Sequence, residues 1–355
     1  MEQIPATLIG GTGYGGAELL RRLLFHPRVE VLRVTAVDNI GKKPGDVHLN
    51  LGGIADHLTF QQMPAAEACK GAGVVFLALP HKVTAKVVLE MIDSGYSGRL
   101  VDMSGDFRLT DADAYEKYYG QPHPRPELLK SGAFVYGLPE LHRAALKSAK
   151  YVASPGCFAT TIALGLLPLA RAGLLRGPVH TVAATGSSGS GANPVAGTHH
   201  PVRASNLRTY KPLEHQHIPE IVQALNGAGA KDLSLEFVPV SAPLPRGIFA
   251  TSFADVPAAT TREQLDAAWK SAFAGERFIR IVQGERQPEV VAVSGGNYVE
   301  VGYTLGPVTG ATRRVVCFSA LDNLVKGGAG QSIQAFNAMM GFEEKTTLAE
   351  PGLWP

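Results

Sequence analysis

Apolar and polar positions fall into two textures along this chain. In the first, short unbroken apolar runs are separated by amphipathic stretches. Residues 7–9 form one such run, 17–24 a helix with a single apolar face, and 29–37 a second strand. The run 74–79 reads as a buried strand that stops at Pro80, followed by a helix over 82–92 and a strand over 100–103. Apolar strands alternating with helices predict a parallel sheet. Beyond residue 160 the strands lengthen and become amphipathic, over 181–184, 233–240, 248–254, 298–305 and 314–320. These predict a mostly antiparallel sheet with helices on one face. A last helix is expected over Gly330–Met340. The expected fold is α/β, with a parallel-sheet domain at 1–153 completed by 326–355, and an α+β domain at 154–325.

Composition agrees with this division. The 355 residues suit two domains, and 45% hydrophobic residues supply substantial cores. The 40 Gly and 24 Pro imply many tight turns rather than a helical bundle. A net charge of +2 gives no bulk attraction to nucleic acid. Cys69, Cys157 and Cys317 are odd in number and widely spaced, which fits neither a disulfide framework nor a zinc knuckle. Strand-like sequence follows Met1 almost at once, leaving no room for a signal peptide, and no apolar run reaches membrane-spanning length. A cytoplasmic protein that engages no membrane is expected.

Three groups of residues carry candidate chemistry. The first is the turn Gly10-Gly11-Thr12-Gly13-Tyr14-Gly15-Gly16, between the first strand and the first helix. Glycines there let the backbone approach a pyrophosphate seated on the helix N-terminus, so the unit reads as dinucleotide-binding and Rossmann-like. The second strand ends at Asp38, where an acid would accept the ribose hydroxyls of NAD; Lys42 and Lys43 follow and would suit a 2′-phosphate. The alternative is a solvated strand end and an exposed loop.

The second group centres on Cys157. Pro155 and Gly156 break the chain before it, and an apolar helical run follows. A Cys at a helix N-terminus has a lowered pKa and is a candidate nucleophile; a buried structural Cys is the alternative. His215 and His217 lie at i, i+2, and His199 and His200 precede them. No Cys or carboxylate completes a zinc-ligand spacing, so no metal is expected. A His distant in sequence as acid/base partner of Cys157 fits better, with surface histidines as the alternative. The third candidate is Arg108, just past the end of a parallel strand, where a guanidinium suits phosphate or carboxylate. An ion pair with Asp106 or Asp111 is its alternative. The Gly/Ser-rich stretch 186–197 reads as a functional loop.

Together these motifs resemble the amino-acid semialdehyde dehydrogenases, and within them the N-acetyl-γ-glutamyl-phosphate reductases. The matching segments are Gly10 to Leu19, Asp102 to Leu109, Tyr136 to Leu141, Ser154 to Thr160, Gly186 to Gly191, His215 to Ile221 and Asp322 to Gln334. The resemblance implies NADPH-dependent reduction of an N-blocked amino-acid acyl phosphate to its semialdehyde through a Cys157 thioester, with His217 as acid/base. It implies substrate contacts at Arg108, Ser188, Arg203 and Lys211. Cofactor contacts are expected at Gly10, Thr12, Gly13, Tyr14, Gly15, Gly16, Asp38, Lys42, Lys43, Pro80, Ser187, Gly189 and Asn323, with the resemblance carrying the glycine turn and Asn323. A homodimer or homotetramer is expected.

Two departures stand out. The family normally takes NADP(H) and often has Ser, Thr or Arg where this chain has Val37-Asp38. The acetylglutamyl enzymes typically read Ser-Gly-Val-Ser-Gly-Ala-Gly where this chain has Thr185-Gly186-Ser187-Ser188-Gly189-Ser190-Gly191. The loop looks more like that of the sibling reductases of lysine biosynthesis. Their substrate is 2-aminoadipyl 6-phosphate attached through its amino group to an acidic carrier protein. His199, His200, Arg203, Arg208 and Lys211 would then form a basic face for that carrier. A loop that only shapes a small-molecule pocket or a subunit contact is the alternative.

Overall fold

The computed structural model of the chain describes residues 3–354. It divides into two units. The first runs through Pro155 and takes in Gly328–Ala349; the second comprises Gly156–Gly327 and the tail from Glu350. The tail groups with the second unit because Leu353 donates its N–H to Ser294 O at 3.2 Å. The first unit therefore ends at Ala349, short of the C-terminal extent expected from sequence.

The first unit holds β1 (Ile4–Ile9), β2 (Val29–Thr35), β3 (Phe60–Gln61), β4 (Val74–Leu77), β5 (Arg99–Asp102), β6 (Phe134–Tyr136) and β7 (Tyr151–Ala153). Their order is β3-β2-β1-β4-β5-β7-β6, and every pairing is parallel. β4 shows why its sequence is apolar throughout. Val75 and Leu77 pack on one face with Val88 and Met91 of the helix Thr84–Asp93. Phe76 meets Phe336 of the helix Gly330–Met340 edge-on at 5.2 Å. Strand order reverses between β1 and β4, and ligands of such sheets bind in the crevice at that point.

The second unit holds β8 (Arg176–Thr185), β9 (Arg208–Thr209), β10 (Lys231–Ser241), β11 (Ile248–Pro257), β12 (Ile279–Ile281), β13 (Val299–Thr309) and β14 (Thr312–Leu321). The order is β12-β13-β14-β11-β8-β10-β9. It is mostly antiparallel, but β8/β10 and β12/β13 pair in parallel. One face carries the helix Cys157–Arg171, buried from Phe158 to Ala170. Gly165 lets this helix sit close, because a methyl group there would lie 2.9 Å from Ser319 Oγ. The other face presents Val182, Thr251 and Phe318 in register across β8, β11 and β14, with the Phe249 and Phe318 rings stacked at 6.3 Å. Val182 is 47% exposed in the isolated chain.

Candidate active site

In the first unit, three glycines of the turn after β1 do different work. Gly10 has φ +93°, and a methyl group on it would lie 2.5 Å from the Ala78 carbonyl oxygen at the end of β4. Gly16 packs against the Gly10 carbonyl and leaves no room for a side chain, which seats the helix Tyr14–Leu24 on the strand. At Gly13 a methyl group would meet nothing within 4 Å. No side chain caps this helix, so its N-terminal N–H groups face an open approach at Gly13. Thr12 Oγ1 donates to Asp38 Oδ1 at 2.5 Å, drawing the end of β2 to the turn. His48, buried, donates from Nε2 to Gly11 O at 2.8 Å and holds the turn from below.

Past β5 the chain forms a buried acid cluster. Asp102 accepts from Ser104 N at 2.7 Å and Ser104 Oγ at 2.9 Å. Burial and the neighbouring Asp106 charge push the Asp102 carboxyl up to about 7, against the pull of Ser104 and Arg108. Asp106 accepts from Lys82 N, Ala85 N and Tyr115 OH, so it caps the helix Thr84–Asp93. Asp111 caps the helix Ala112–Tyr119 through Asp113 N and Ala114 N. Arg108 is 5% exposed and donates from Nε to Ser154 O and from Nη2 to Met103 O, both at 2.7 Å. These bonds fix the plane of its guanidinium.

In the second unit, Cys157 is the first residue of its helix, with Gly156 in extended backbone before it at φ −71°, ψ 149°. The side chain is half-buried, whereas Cys69 and Cys317 are buried and burial pushes both thiols up. Gly156 N–H donates to Glu220 Oε1 at 2.8 Å. Glu220 lies one turn after His217 in the helix His217–Gly227, and both side chains are buried. A methyl group on Gly156 would overlap the His217 imidazole at Nε2. His217 thus sits against the residue preceding Cys157. On the other side, a methyl group on Gly327 would lie 2.8 Å from Cys157 Cβ.

The second histidine has a different state. Burial, then the Lys211 charge, pushes His215 down to about 4. Its Nδ1 accepts the His217 N–H at 3.1 Å, which fixes the neutral tautomer with the proton on Nε2. The rings of Tyr210, His215 and His217 follow one another at centroid spacings of 5.9 and 4.6 Å. Burial, then the neighbouring Cys157, pushes the Tyr210 phenol up, against the pull of Arg203. Asn323 Oδ1 accepts from Gly247 N at 2.7 Å and its Nδ2 donates to Ser188 Oγ at 3.0 Å. Ser187 N and Ser188 N bond Leu244 O and Pro245 O, so the glycine loop is anchored at its start.

With this geometry in view, comparison with known proteins places the chain. The family model for the semialdehyde dehydrogenase NAD binding domain matches residues 5–149, and that for the semialdehyde dehydrogenase dimerisation domain matches 157–323. The chain belongs to the semialdehyde dehydrogenase family. The LysW-L-2-aminoadipate 6-phosphate reductase of Deinococcus radiodurans is 41% identical over 360 residues, covering 100% of this chain and 99% of that one. An N-acetyl-gamma-glutamyl-phosphate reductase of Pseudomonas entomophila is 40% identical over 354 residues, covering 99% and 100%. Among solved structures, aspartate semialdehyde dehydrogenase II from Vibrio cholerae shares the fold at TM-score 0.71 and 15% identity, covering 96% and 99%. The Candida albicans enzyme solved with NADP does so at TM-score 0.61 and 16% identity, covering 98% and 99%.

In this semialdehyde dehydrogenase the first unit is the NAD binding domain, and its turn fits a nicotinamide dinucleotide through the open approach at Gly13. Pro80 is exposed at the end of β4, beside the stretch that meets Gly10. Asp38, Lys42 and Lys43 are exposed; Lys42 Nζ bonds Asn39 Oδ1 at 3.0 Å and Lys43 Nζ lies 3.6 Å from Asp56. Of the expected basic face, His199, His200, Arg208 and Lys211 are exposed. Arg203 is not part of it. Its side chain is only 9% exposed and its Nη2 donates to Thr185 O at 3.2 Å, because the short helix His200–Arg203 turns it inward. Sequence reasoning missed Glu220, Tyr210 and His48. Glu220 had one signal, its i+3 spacing from His217; the other two had none. Among the described residues no three His, Cys, Asp or Glu side chains gather as a metal site, and no helix is long and apolar enough to cross a membrane.

Proposed function

We propose that this chain reduces an N-blocked amino-acid acyl phosphate to the semialdehyde, with release of phosphate, through a thioester on Cys157. The observation that carries this is Cys157 at the head of a buried helix, with the His217 imidazole against Gly156 and Glu220 holding Gly156 N–H. The Cys157 thiolate attacks the acyl carbon; the C–S bond forms and the bond to the phosphate oxygen breaks. Arg108, its plane set by two main-chain carbonyls, is assigned to a substrate oxyanion. When bound, the nicotinamide supplies the hydride that takes the acyl group to the aldehyde level. His217 supplies the proton the reaction consumes, and collapse at the acyl carbon returns the Cys157 thiolate. Neutral His215 keeps His217 in place rather than titrating itself. Running the reaction in reverse, with a semialdehyde, NADP⁺ and phosphate or arsenate, tests the reading. Absence of cofactor reduction with every semialdehyde offered would reject it.

NADP(H) is the proposed cofactor, with Lys42 and Lys43 taking the 2′-phosphate. Lys43→Glu should then weaken NADP(H) relative to NAD(H) by about tenfold or more, measured as the ratio of the two kcat/KM values. An unchanged ratio would leave Asp38 as the determinant and favour NAD(H).

The carrier-linked aminoadipyl phosphate is the proposed substrate. The exposed cluster His199, His200, Arg208 and Lys211 supports it, since an acidic carrier docks through a charged surface. The alternative substrate is acetylglutamyl phosphate, which the 40% identity to such a reductase supports equally by descent. Arg208→Glu with Lys211→Glu should lower kcat/KM for the carrier-linked substrate roughly tenfold at low salt, the deficit shrinking at high salt. Acetylglutamyl phosphate should show little change. A carrier-linked rate untouched at low salt would make acetylglutamyl phosphate the preferred substrate. The half-exposed apolar face at Val182, Phe249 and Phe318 supports assembly as a homodimer or homotetramer.

A further inference from the structure

The peptide between Gly11 and Thr12 is held by a side chain 37 residues away in sequence. His48 is 9% exposed, and its Nε2 lies 2.8 Å from Gly11 O. A carbonyl oxygen only accepts, so Nε2 carries the proton and donates it. The seat of His48 is itself fixed. Its N–H donates to Pro44 O and its carbonyl accepts Leu51 N, both at 2.8 Å. A methyl group on Gly45 would lie 2.7 Å from Gly52 Cα, so residues 44–52 fold closely on themselves. The His48 ring meets Phe60 of β3 edge-on at 6.0 Å. A side chain on Gly11 would overlap Val34 and press on Phe60. His48, Val34 and Phe60 thus crowd the buried side of the turn.

The donors of the turn divide at this peptide. Gly10 N–H and Gly11 N–H both donate to Thr35 O, at 2.9 and 3.0 Å. Among the described residues, Thr12 N–H and Gly13 N–H have no hydrogen-bond partner. A trans peptide is planar, with its C=O and the following N–H pointing in opposite directions. With Gly11 O turned onto His48, Thr12 N–H points away from the buried side. It joins the uncapped N–H groups that begin the helix Tyr14–Leu24, at the open approach of Gly13. Glycine offers little resistance to the opposite arrangement. Turning this one peptide over would present a carbonyl oxygen where an anion is to sit.

We infer that His48 is a positioning residue for the cofactor: through Gly11 O it sets the peptide plane that aims Thr12 N–H at the pyrophosphate. This rests on the dinucleotide reading of the turn, which lies inside the NAD binding domain match at 5–149. A backbone N–H donating to a charged phosphate oxygen is among the stronger hydrogen bonds. The pyrophosphate is common to NADP(H) and NAD(H). The role of His48 is therefore the same whichever way Asp38, Lys42 and Lys43 choose between them. Its effect falls on the diphosphate and not on the adenine or the nicotinamide.

The experiment titrates the full chain with ADP-ribose, which carries the pyrophosphate, and with adenosine, which carries none. His48→Leu should weaken ADP-ribose binding by about 10- to 100-fold in calorimetry. Adenosine, followed by ligand-observed NMR, should bind as it does to wild type. His48→Gln, whose Nε2 can take the place of the imidazole Nε2, should recover most of the loss. Unchanged ADP-ribose affinity in His48→Leu would overturn the assignment. An equal loss for both ligands would do the same, because the turn as a whole would then have collapsed. Wild type supplies a reading that needs no variant. With isotope-labelled threonine, ADP-ribose should move the Thr12 amide proton resonance downfield, and adenosine should not. A Thr12 amide indifferent to ADP-ribose would overturn the role of His48 even if His48→Leu failed to fold. Wild type that bound no ADP-ribose would remove the dinucleotide reading of the turn, and the role of His48 with it.

Discussion

Cys157→Ser should lose turnover in both directions by on the order of 10⁴-fold or more, with affinity for the nicotinamide cofactor unchanged. A serine hydroxyl titrates far above a thiol and forms an ester in place of the thioester, a much poorer hydride acceptor. The fold should tolerate the change, because the residue is only half-buried and the helix begins from Gly156, not from the Cys side chain. The chain carries its own internal control. Cys69 and Cys317 are buried and burial pushes both thiols up, so iodoacetamide near neutral pH should label Cys157 alone. One equivalent of label in the wild type and none in Cys157→Ser is the expected count. Substantial turnover in Cys157→Ser would remove the residue from the mechanism.

His217→Asn should slow turnover by about 10²- to 10⁴-fold, the usual contribution of a general acid/base, while Cys157 remains open to alkylation. The structure adds a sharper version of this test. Gly156→Ala deletes no functional group, but its methyl would overlap the His217 ring and move it. The backbone at Gly156 is extended and open to Ala, so the loss would come from the displaced imidazole and not from backbone strain. Gly156→Ala should therefore lose a sizeable part of what His217→Asn loses, and the double variant should be no worse than His217→Asn alone. Additive losses would mean that Gly156 and His217 act separately. A larger defect in His215→Asn than in His217→Asn would transfer the acid/base role to the neighbouring ring.

Some of this was legible in the sequence for clear reasons. The helix start at Cys157 follows from Pro155-Gly156 breaking the chain just before an apolar run. The glycine turn announces itself because a strand and a helix flank it at the right spacing. Other features had no local signal. The pairing of β8 with β10 is parallel, and amphipathic alternation looks the same whichever way a strand runs. The helix that starts at Cys157 continues to Arg171 through Pro168, a residue that argues for an earlier end. Arg203 stands among exposed basic residues and reads as one of them; only the folded loop reveals that it points inward. Glu220 reaches Gly156 across 64 residues, a contact that no spacing rule announces. The acids past β5 look like partners for Arg108, yet Asp106 and Asp111 are engaged in capping helices.

The helix behind Cys157 is buried without a break from Phe158 to Ala170, and at Gly165 it touches the sheet too closely to admit even a methyl group. Nearly every substitution along it would disturb packing before it altered reactivity. The loop from Gly189 onward, by contrast, lies mostly in solvent, and its residues can change at little cost to the fold. Over evolutionary time the two segments should therefore drift at very different rates. A lineage could exchange one acyl phosphate for another through the loop alone, with Cys157 and the helix behind it held still by their own core.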